Sequence, residues 1–487
     1  MYISITYIRN TMQHPEWVMK HKTKGTEIRK LGNHYYLYKI RSEYDKEKKR
    51  AKKITEKFLG KITEEGLIKP KHERILDSQK NISVKEFGAS RFIAKESEDI
   101  IQNLKEVFPD SWKEIFTFAV FRFFHSSPLK NVQDHYHGSY LSDIIPDAKV
   151  SPKTLGNMLH ITGQQRQLTK KFLSKYIVQT ECMAVDLTHI FSLSENVISA
   201  TLGRNSEQNY LPQINLFLLF SLDRMQPIFY RLVPGSIRDV SSLLLSIEES
   251  KVKDIILVGD KGFYSADNIQ ELDTKKIRYI LPLKRNSQFI DYSPLMQAGK
   301  KQFSGHFLFE NRVVWHYEHV TGGKRIVTFL DDKLKVEEER DFLIRVNEGM
   351  LKIEEFHENE SKFGTISIIT KTDLSPQRIF ELLKSRVEIE VTFDTFKNVL
   401  NADRSYMRDD SAMEGWMFVN FVALLLYYKV YGLLMSSNFL SRCSPKDVIL
   451  HLSRVFNVKI GNNWMVSEIP KKTRLLIENL GIESSIT

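Results

Sequence analysis

At Cys182 the hydrophobic period of this chain changes, and no other feature limits its possible folds as much. Upstream, across residues 97–180, Ile101, Leu104 and Phe108, then Trp112, Ile115, Phe116 and Ala119, recur at three- and four-residue steps. That is the spacing of helices with one buried face. Downstream, CMAVDLT, QINLFLLFSL (213–222) and QPIFYRLV (226–233) are β-rich runs separated by short breaks. Asp239 to Ile247 then reads as a helix, IILVGD (255–260) as a buried strand, Ser265 to Leu272 as a helix and RYILPLK (278–284) as a strand. Antiparallel strands followed by a βαβ alternation define an α/β chain with a mixed sheet flanked by helices. The pattern is mostly β again from about Asn286 to Ile369, and helices return from Ser375. An α/β core interrupted by a β-rich insertion is the expected architecture.

A length of 487 residues suggests about two to four domains. At 42% hydrophobic residues there is ample apolar surface for folding, which excludes a disordered chain. The formal charge is +11, and its position says more than its size. Residues 1–80 hold 20 Lys+Arg against 10 Asp+Glu, whereas residues 81–487 hold 51 against 50. Such a basic block suits a polyanion, with nucleic acid ahead of a membrane surface. Within it, Ser42 to Lys61 carries Lys/Arg at helical spacing beside a thin apolar stripe. It reads as a solvated helix or arm, with phosphate contact as the rival role. Further on, Ser151-Pro152 opens a helix, Gly163 breaks it and a basic helix follows, which makes a candidate helix-turn-helix.

The two cysteines, Cys182 and Cys443, exclude a disulfide framework and a Cys-based zinc site, and they fit a reducing cytosol. The first residues lack the apolar core of a signal peptide, so a cytoplasmic protein is expected. Trp416 to Met435 is long and apolar, but Asn420 and Lys429 interrupt it, so a buried helix is expected and no membrane partner. No paired-histidine metal motif and no Gly-rich phosphate loop is present, which disfavours an ATP-driven machine.

Three carboxylates stand out by position. Asp186 follows the apolar run MAV, and a charge in a buried strand is costly unless paired or metal-bound. Asp260 ends IILVG, at the carboxyl end of a buried strand where α/β sheets collect ligand groups; the bland role is a helix cap or turn aspartate. The third lies on a single expected helix, 381–400, whose apolar stripe is Leu382, Ile389, Phe393, Phe396 and Leu400. Arg386, Glu390, Asp394 and Lys397 share a face beside that stripe, where an intrahelical salt-bridge ladder competes with a catalytic role. Two strand aspartates and a helix glutamate suit Mg²⁺ or Mn²⁺ and two-ion phosphodiester chemistry. Lys261, beside Asp260, is either a phosphate contact or an ordinary surface lysine. Trp315 reads as strand packing rather than base stacking.

These segments resemble the DDE transposases of the insertion-sequence 4 (IS4-like) superfamily. The resemblance rests on MAVDLT, VPGSIRDVSSL, ILVGDKGFYSADNIQEL, YILPLKRN and SRVEIEVTFDTFKNVL, and it spans about residues 182–430. Arg386, Glu390 and Lys397 keep the family's Tyr-x2-Arg-x3-Glu-x6-Lys spacing, while Leu383 stands at the Tyr position. The resemblance implies an RNase H-like mixed-sheet core (181–285 and 371–435) interrupted by a β-rich insertion (286–370). Before it would come a basic arm or small domain contacting DNA (1–80) and a helical end-recognition region (81–180), and after it C-terminal helices (436–487). Asp186, Asp260 and Glu390 would be the catalytic, metal-binding triad for two Mg²⁺ or Mn²⁺ ions. Arg386 and Lys397 would contact element-end DNA, and Lys261, by its place beside Asp260 rather than by the resemblance, is the further candidate DNA contact. The implied reaction is hydrolytic cutting at element ends followed by joining of the 3′-OH to target DNA, by a homodimer on double-stranded DNA at the nucleoid. The alternative is a DNA-binding protein or nuclease derived from a transposase and lacking strand transfer.

Overall fold

The computed structural model describes residues 14–45, 49–74, 82–177, 181–203, 211–236, 255–296, 300–461 and 463–486. The chain divides into two compact units, Met1–Lys85 with Asn457–Ser467, and Glu86–Phe456 with Glu468–Thr487.

The first unit is built on an antiparallel sheet in chain order, β1 (Thr26–Leu31), β2 (His34–Asp45), β3 (Arg50–Thr63) and β4 (Gly66–Ile68). Ser42–Lys61, expected as a helix or arm, is therefore mostly strand. Its apolar stripe is too thin to hold a helix on a core. The ladder between β2 and β3, from Tyr35↔Ile62 to Asp45↔Arg50, satisfies the backbone instead. Among the described residues of this unit, buried Val18, Leu37 and Ile62 form a small core, flanked by Trp17, Ile28, Tyr35 and Leu59. A second small sheet joins β5 (Ile82–Glu86) to strands Phe456–Ile460 and Asn463–Val466.

The second unit is centred on an 11-stranded sheet. At its middle lies β6 (Cys182–Ser192), apolar on both faces. On one side β6 pairs with β8 (Pro212–Ser221), whose outer neighbours are β7 (Thr201–Leu202) and β9 (Gln226–Pro234), all antiparallel. On the other side β10 (Ile256–Val258) and β11 (Arg278–Pro282) run parallel to β6. The meander and the βαβ alternation are thus halves of one sheet, as the period change at Cys182 suggested. The expected helix at Asp239–Ile247 lies outside the described residues. Beyond β11 the sheet continues antiparallel through β15 (Thr365–Thr370), β14 (Lys324–Asp331), β13 (Arg312–Thr321) and β12 (Gly305–Phe309). The 286–369 segment therefore extends the central sheet. It is also less β-rich than its pattern suggested, because Asp332–Asn347 and Ile353–Asn359 are helices. A two-residue strand, β16 (Arg404–Ser405), pairs with the end of β6.

Helices α1 (Gly88–Glu96), α2 (Glu98–Val107), α3 (Trp112–His125), α4 (Pro152–Gln164) and α5 (Arg166–Ile177) precede β6. Ser151 caps α4 by accepting the Thr154 N–H, with Pro152 at the first turn. Gly163 does not break this helix; the break falls at Gln165. Its lack of a side chain serves packing. A Cβ there would lie 1.7 Å from the Ser411 carbonyl oxygen, and one at Gly415 1.9 Å from that of Leu159. Two glycines thus let α4 cross the long helix Asp410–Ser436 at backbone contact. In the candidate helix-turn-helix, basic residues of α5 are committed within the fold, Arg166 to Glu414 and the Tyr230 carbonyl, and Lys175 to Glu106.

The Asp410–Ser436 helix is the apolar stretch read from sequence. It is long and apolar enough to cross a membrane, but 78% of its most apolar window is buried inside the protein. Both polar interruptions have partners. Asn420 accepts from Arg122 Nε at 2.9 Å, and Lys429 reaches Asp99 at 2.7 Å. The Arg122 guanidinium, buried and pushed down to about 10 by that burial, also donates to the carbonyls of Ser126, Ser127, Leu400 and Asn401. It therefore ties α3 and the long helix to the end of the helical run that carries Glu390.

Candidate active site

Strand register brings the two aspartates together. Val258 lies opposite Ala184 in the parallel β6–β10 pair, so two residues further along both chains reach Asp260 and Asp186. Asp260 lies just past the end of β10, and Asp186 lies within β6 just past the stretch paired with β10, so both stand at the carboxyl side of the parallel pairing. Gly259 permits the tight exit from β10, since a Cβ there would lie 2.7 Å from Leu281 Cδ2. Asp260 then starts a short 3-10 turn, Lys261–Phe263, its carbonyl accepting the Phe263 N–H at 2.9 Å. Lys261 is exposed on this turn.

The third carboxylate comes from a helical run less regular than the single helix expected. It consists of Pro376–Ser385, Val387–Asp394 and a π-helical turn Thr395–Val399, with Arg386 at the first junction. Ile389, Thr392 and Phe393 bury its inner face, and Thr392 hydrogen-bonds the Tyr428 hydroxyl at 2.6 Å. That fixes Glu390 on the outer side, 52% exposed. Two contacts run along this face. Arg386 pairs with Glu390, and Asp394 accepts from Asn398 at 2.5 Å. The π turn widens the helix here and shifts the phase of every residue after it. Lys397 lies on this turn, half-buried.

Arg386 joins all three carboxylates. Its guanidinium lies 3.3 Å from Asp186 Oδ2, 3.8 Å from Asp260 Oδ1 and 2.5 Å from Glu390 Oε1, and its side chain is only 14% exposed. Sequence spacing allowed the Glu390 pair as part of a salt-bridge ladder, and the family resemblance implied a DNA contact for the arginine. The contacts with Asp186 and Asp260 span 200 and 126 positions, so no local pattern could reveal them. Three carboxylates against one guanidinium leave two negative charges uncompensated. The Asp186 carboxyl is shifted chiefly by its burial. Burial pushes it above the ordinary carboxylate range, the Leu187 N–H and Arg386 pull it back, and Asp260 and Glu390 push it further up. Beside Glu390, burial also raises Glu388, which accepts from the Tyr431 hydroxyl at 3.2 Å; sequence had given this pair no role.

Hard oxygen donors and surplus negative charge suit a divalent cation. As placed, however, no three acidic, His or Cys side chains among the described residues are grouped to share an ion, because Arg386 stands between the carboxylates. The donor set fits such an ion in chemistry and charge, provided Arg386 yields at least one carboxylate.

Of the other candidates, Leu383 is half-buried against the core. Trp315 packs with Phe303, His306 and the Lys300 ammonium, as expected of a strand residue.

Residues 199–426 match the family described as the transposase DDE domain. The match takes in Asp260, Arg386, Glu390 and Lys397, and begins 13 residues after Asp186. A solved structure, the piggyBac transposase synaptic complex with hairpin DNA, is similar over 76% of this chain and 79% of that chain, at 12% identity and a TM-score of 0.38. No curated protein matches the chain.

Proposed function

We propose that the protein is a DNA transposase of an IS4-like insertion sequence, with an RNase H-like core whose triad is Asp186, Asp260 and Glu390. One observation carries this reading. Three carboxylates, from within β6, from just past the end of β10 and from a helix, converge on one guanidinium, two of them inside the segment that matches the transposase DDE domain. The sheet order, with a three-stranded meander and two parallel strands flanking β6, supports the RNase H-like assignment. The strands from β12 to β15, which extend that sheet, correspond to the expected insertion.

On this reading the protein cuts phosphodiester bonds at element ends and joins the freed 3′-OH to target DNA, as a homodimer holding two ends, at the cytoplasmic nucleoid. Asp186, Asp260 and Glu390 would hold Mg²⁺ or Mn²⁺, two ions in all, which when bound activate the attacking oxygen and stabilise the leaving 3′ oxygen. The residues themselves contribute position and charge. Strand pairing fixes Asp186 and Asp260 side by side, and the helix buried through Ile389 and Phe393 presents Glu390 to them. Arg386 offsets their repulsion and, once released from a carboxylate, is within reach of a DNA phosphate at the same place. Lys261 and Lys397 are the other phosphate contacts in this reading.

Alanine at Asp186, Asp260 or Glu390 is expected to lower Mg²⁺-dependent cleavage of element-end DNA on the order of 10³-fold or more while leaving DNA binding nearly intact. Undiminished cleavage by purified variants would exclude the triad. Leu383, at the signature's Tyr position, favours a second reading, a derived nuclease or DNA-binding protein that does not join strands. Joined products in the same assay decide between the two.

A further inference from the structure

The segment expected to be a helix or arm has an unusual form as strand. β1 covers β2 only from His34 to Lys39, and β4 covers β3 only from Lys61 to Thr63. Beyond those points Arg41–Asp45 and Arg50–Ile54 pair with each other and, among the described residues, with no third strand. At about 3.3 Å per residue this is a two-stranded ribbon roughly 17 Å long. Nearly all of it is exposed, including Tyr44 at 63%. A ribbon without a core on either face is marginally stable in water, so a persistent one needs a partner or another stabilising contact.

Its chemistry identifies that partner. Its paired stretches, Arg41–Asp45 and Arg50–Ile54, hold four Lys/Arg against two acidic residues. Cross-strand pairing places Ser42, Tyr44 and Lys53 on one face and Arg41, Arg50 and Lys52 on the other, the latter with Glu43 and Asp45. Cations thus project from both faces. Lys49, Arg50 and Lys52 are exposed and form no ion pair with another described residue, whereas Lys53 makes a loose one with Glu27 at 3.7 Å. An element lined with cations on both faces fits between two phosphate walls. The B-DNA major groove, about 12 Å wide, admits a two-stranded ribbon, whereas the deep, narrow major groove of A-form RNA does not.

We propose that the β2–β3 ribbon is a DNA-binding element that enters the major groove of double-stranded DNA, with Arg50, Lys52 and Lys53 on phosphates and Ser42 and Tyr44 turned to base edges. The choice of DNA rests on the transposase reading; the ribbon and its charge do not. The competing explanation is that lysines on an open strand edge merely deter aggregation.

The full-length protein is tested on a fluorescein-labelled 40-base-pair mixed-sequence DNA duplex and on the duplex RNA of the same sequence. Binding is followed by anisotropy across salt concentrations, and dimethyl sulfate reports access to guanine N7 in the major groove. The triple variant Arg50→Gln, Lys52→Gln, Lys53→Gln is expected to bind DNA at least about tenfold more weakly at 0.1 M salt. Its salt slope should fall by about 2–3, since each lost phosphate contact removes ~0.9. Guanine N7 protection should disappear with it, while the Arg50→Lys, Lys52→Arg, Lys53→Arg variant keeps both, and RNA binds more weakly than DNA. Wild-type affinity and slope in the triple variant, no N7 protection in the wild type, or equal binding of duplex RNA would each overturn the proposal. If the wild-type protein itself fails to bind DNA, the transposase reading falls with it. Binding without ribbon dependence sinks the ribbon alone.

Discussion

The two units divide charge almost completely. The first holds 22 Lys+Arg against 10 Asp+Glu, a net +12, which leaves 49 against 50 for the second. They differ as much in their interiors. Among the described residues, the first unit's cluster consists of three buried apolar side chains, whereas the second unit is organised around one continuous core. A unit with little core and much like charge repels itself, so its stability gains from a polyanion. The other unit has the packing to hold three carboxylates together against their repulsion. Attraction for DNA and phosphodiester chemistry therefore reside, on this account, in a strongly basic unit and a nearly neutral one.

The strongest way to break that division is to exchange its consequences. Alanine in the triad should cost on the order of 10³-fold in cleavage and leave the salt slope of DNA binding unchanged. Removing residues 1–74 should do the reverse to binding. DNA affinity at 0.1 M salt drops at least about tenfold and the slope flattens, measured by anisotropy, while circular dichroism still shows a folded core. An unchanged slope would place the electrostatic attraction in the wrong unit.

Two smaller effects sharpen the picture of the acidic centre. Arg386→Ala leaves the carboxylates without their shared partner, and in EDTA it should lower unfolding free energy by about 1–2 kcal/mol, less than for a fully buried pair because Glu390 is half exposed. Millimolar Mn²⁺ should restore most of that loss in a denaturant titration. Asp186→Asn acts in the opposite direction. The Asp186 carboxyl titrates higher in the folded chain than in the unfolded one, so its contribution favours folding at low pH and is lost as pH rises through the folded value. At pH 7 in EDTA the asparagine variant should melt a few degrees higher than the wild type, and that gain should vanish near pH 3. A lower melting temperature at pH 7 would mean that Arg386 more than offsets the burial of Asp186.

Sequence revealed the parts of this protein that are local. The apolar runs at β6, β8, β9, β10 and β11 announced themselves, and Asp186 and Asp260 stood out as charges at the limits of such runs. The helix Ala266–Thr274 was legible in the βαβ alternation as Ser265 to Leu272, and Asp410–Ser436 in the apolar run Trp416 to Met435. Non-local pairing hid the rest. Arg50–Thr63 has lysines at helical spacing, and only its partner β2 makes it a strand. The 305–370 strands gave no sign that they continue the core sheet, because that depends on β15 meeting β11. Asn420 looked like an interruption of an apolar helix until Arg122, 298 residues away, supplied its partner. The π turn after Asp394 moved Lys397 out of a register that regular spacing had assigned it.

The central claim is that Asp186, Asp260 and Glu390 form one cation site with Arg386 as its resident counter-charge. Calorimetric titration of Mn²⁺ into the DNA-free protein tests it most directly. The account predicts that Asp186→Asn, Asp260→Asn and Glu390→Gln each weaken Mn²⁺ binding at least about tenfold, ~1.4 kcal/mol, while Arg386→Ala binds Mn²⁺ more tightly than the wild type. Equal Mn²⁺ affinity in the wild type and all four variants would contradict it.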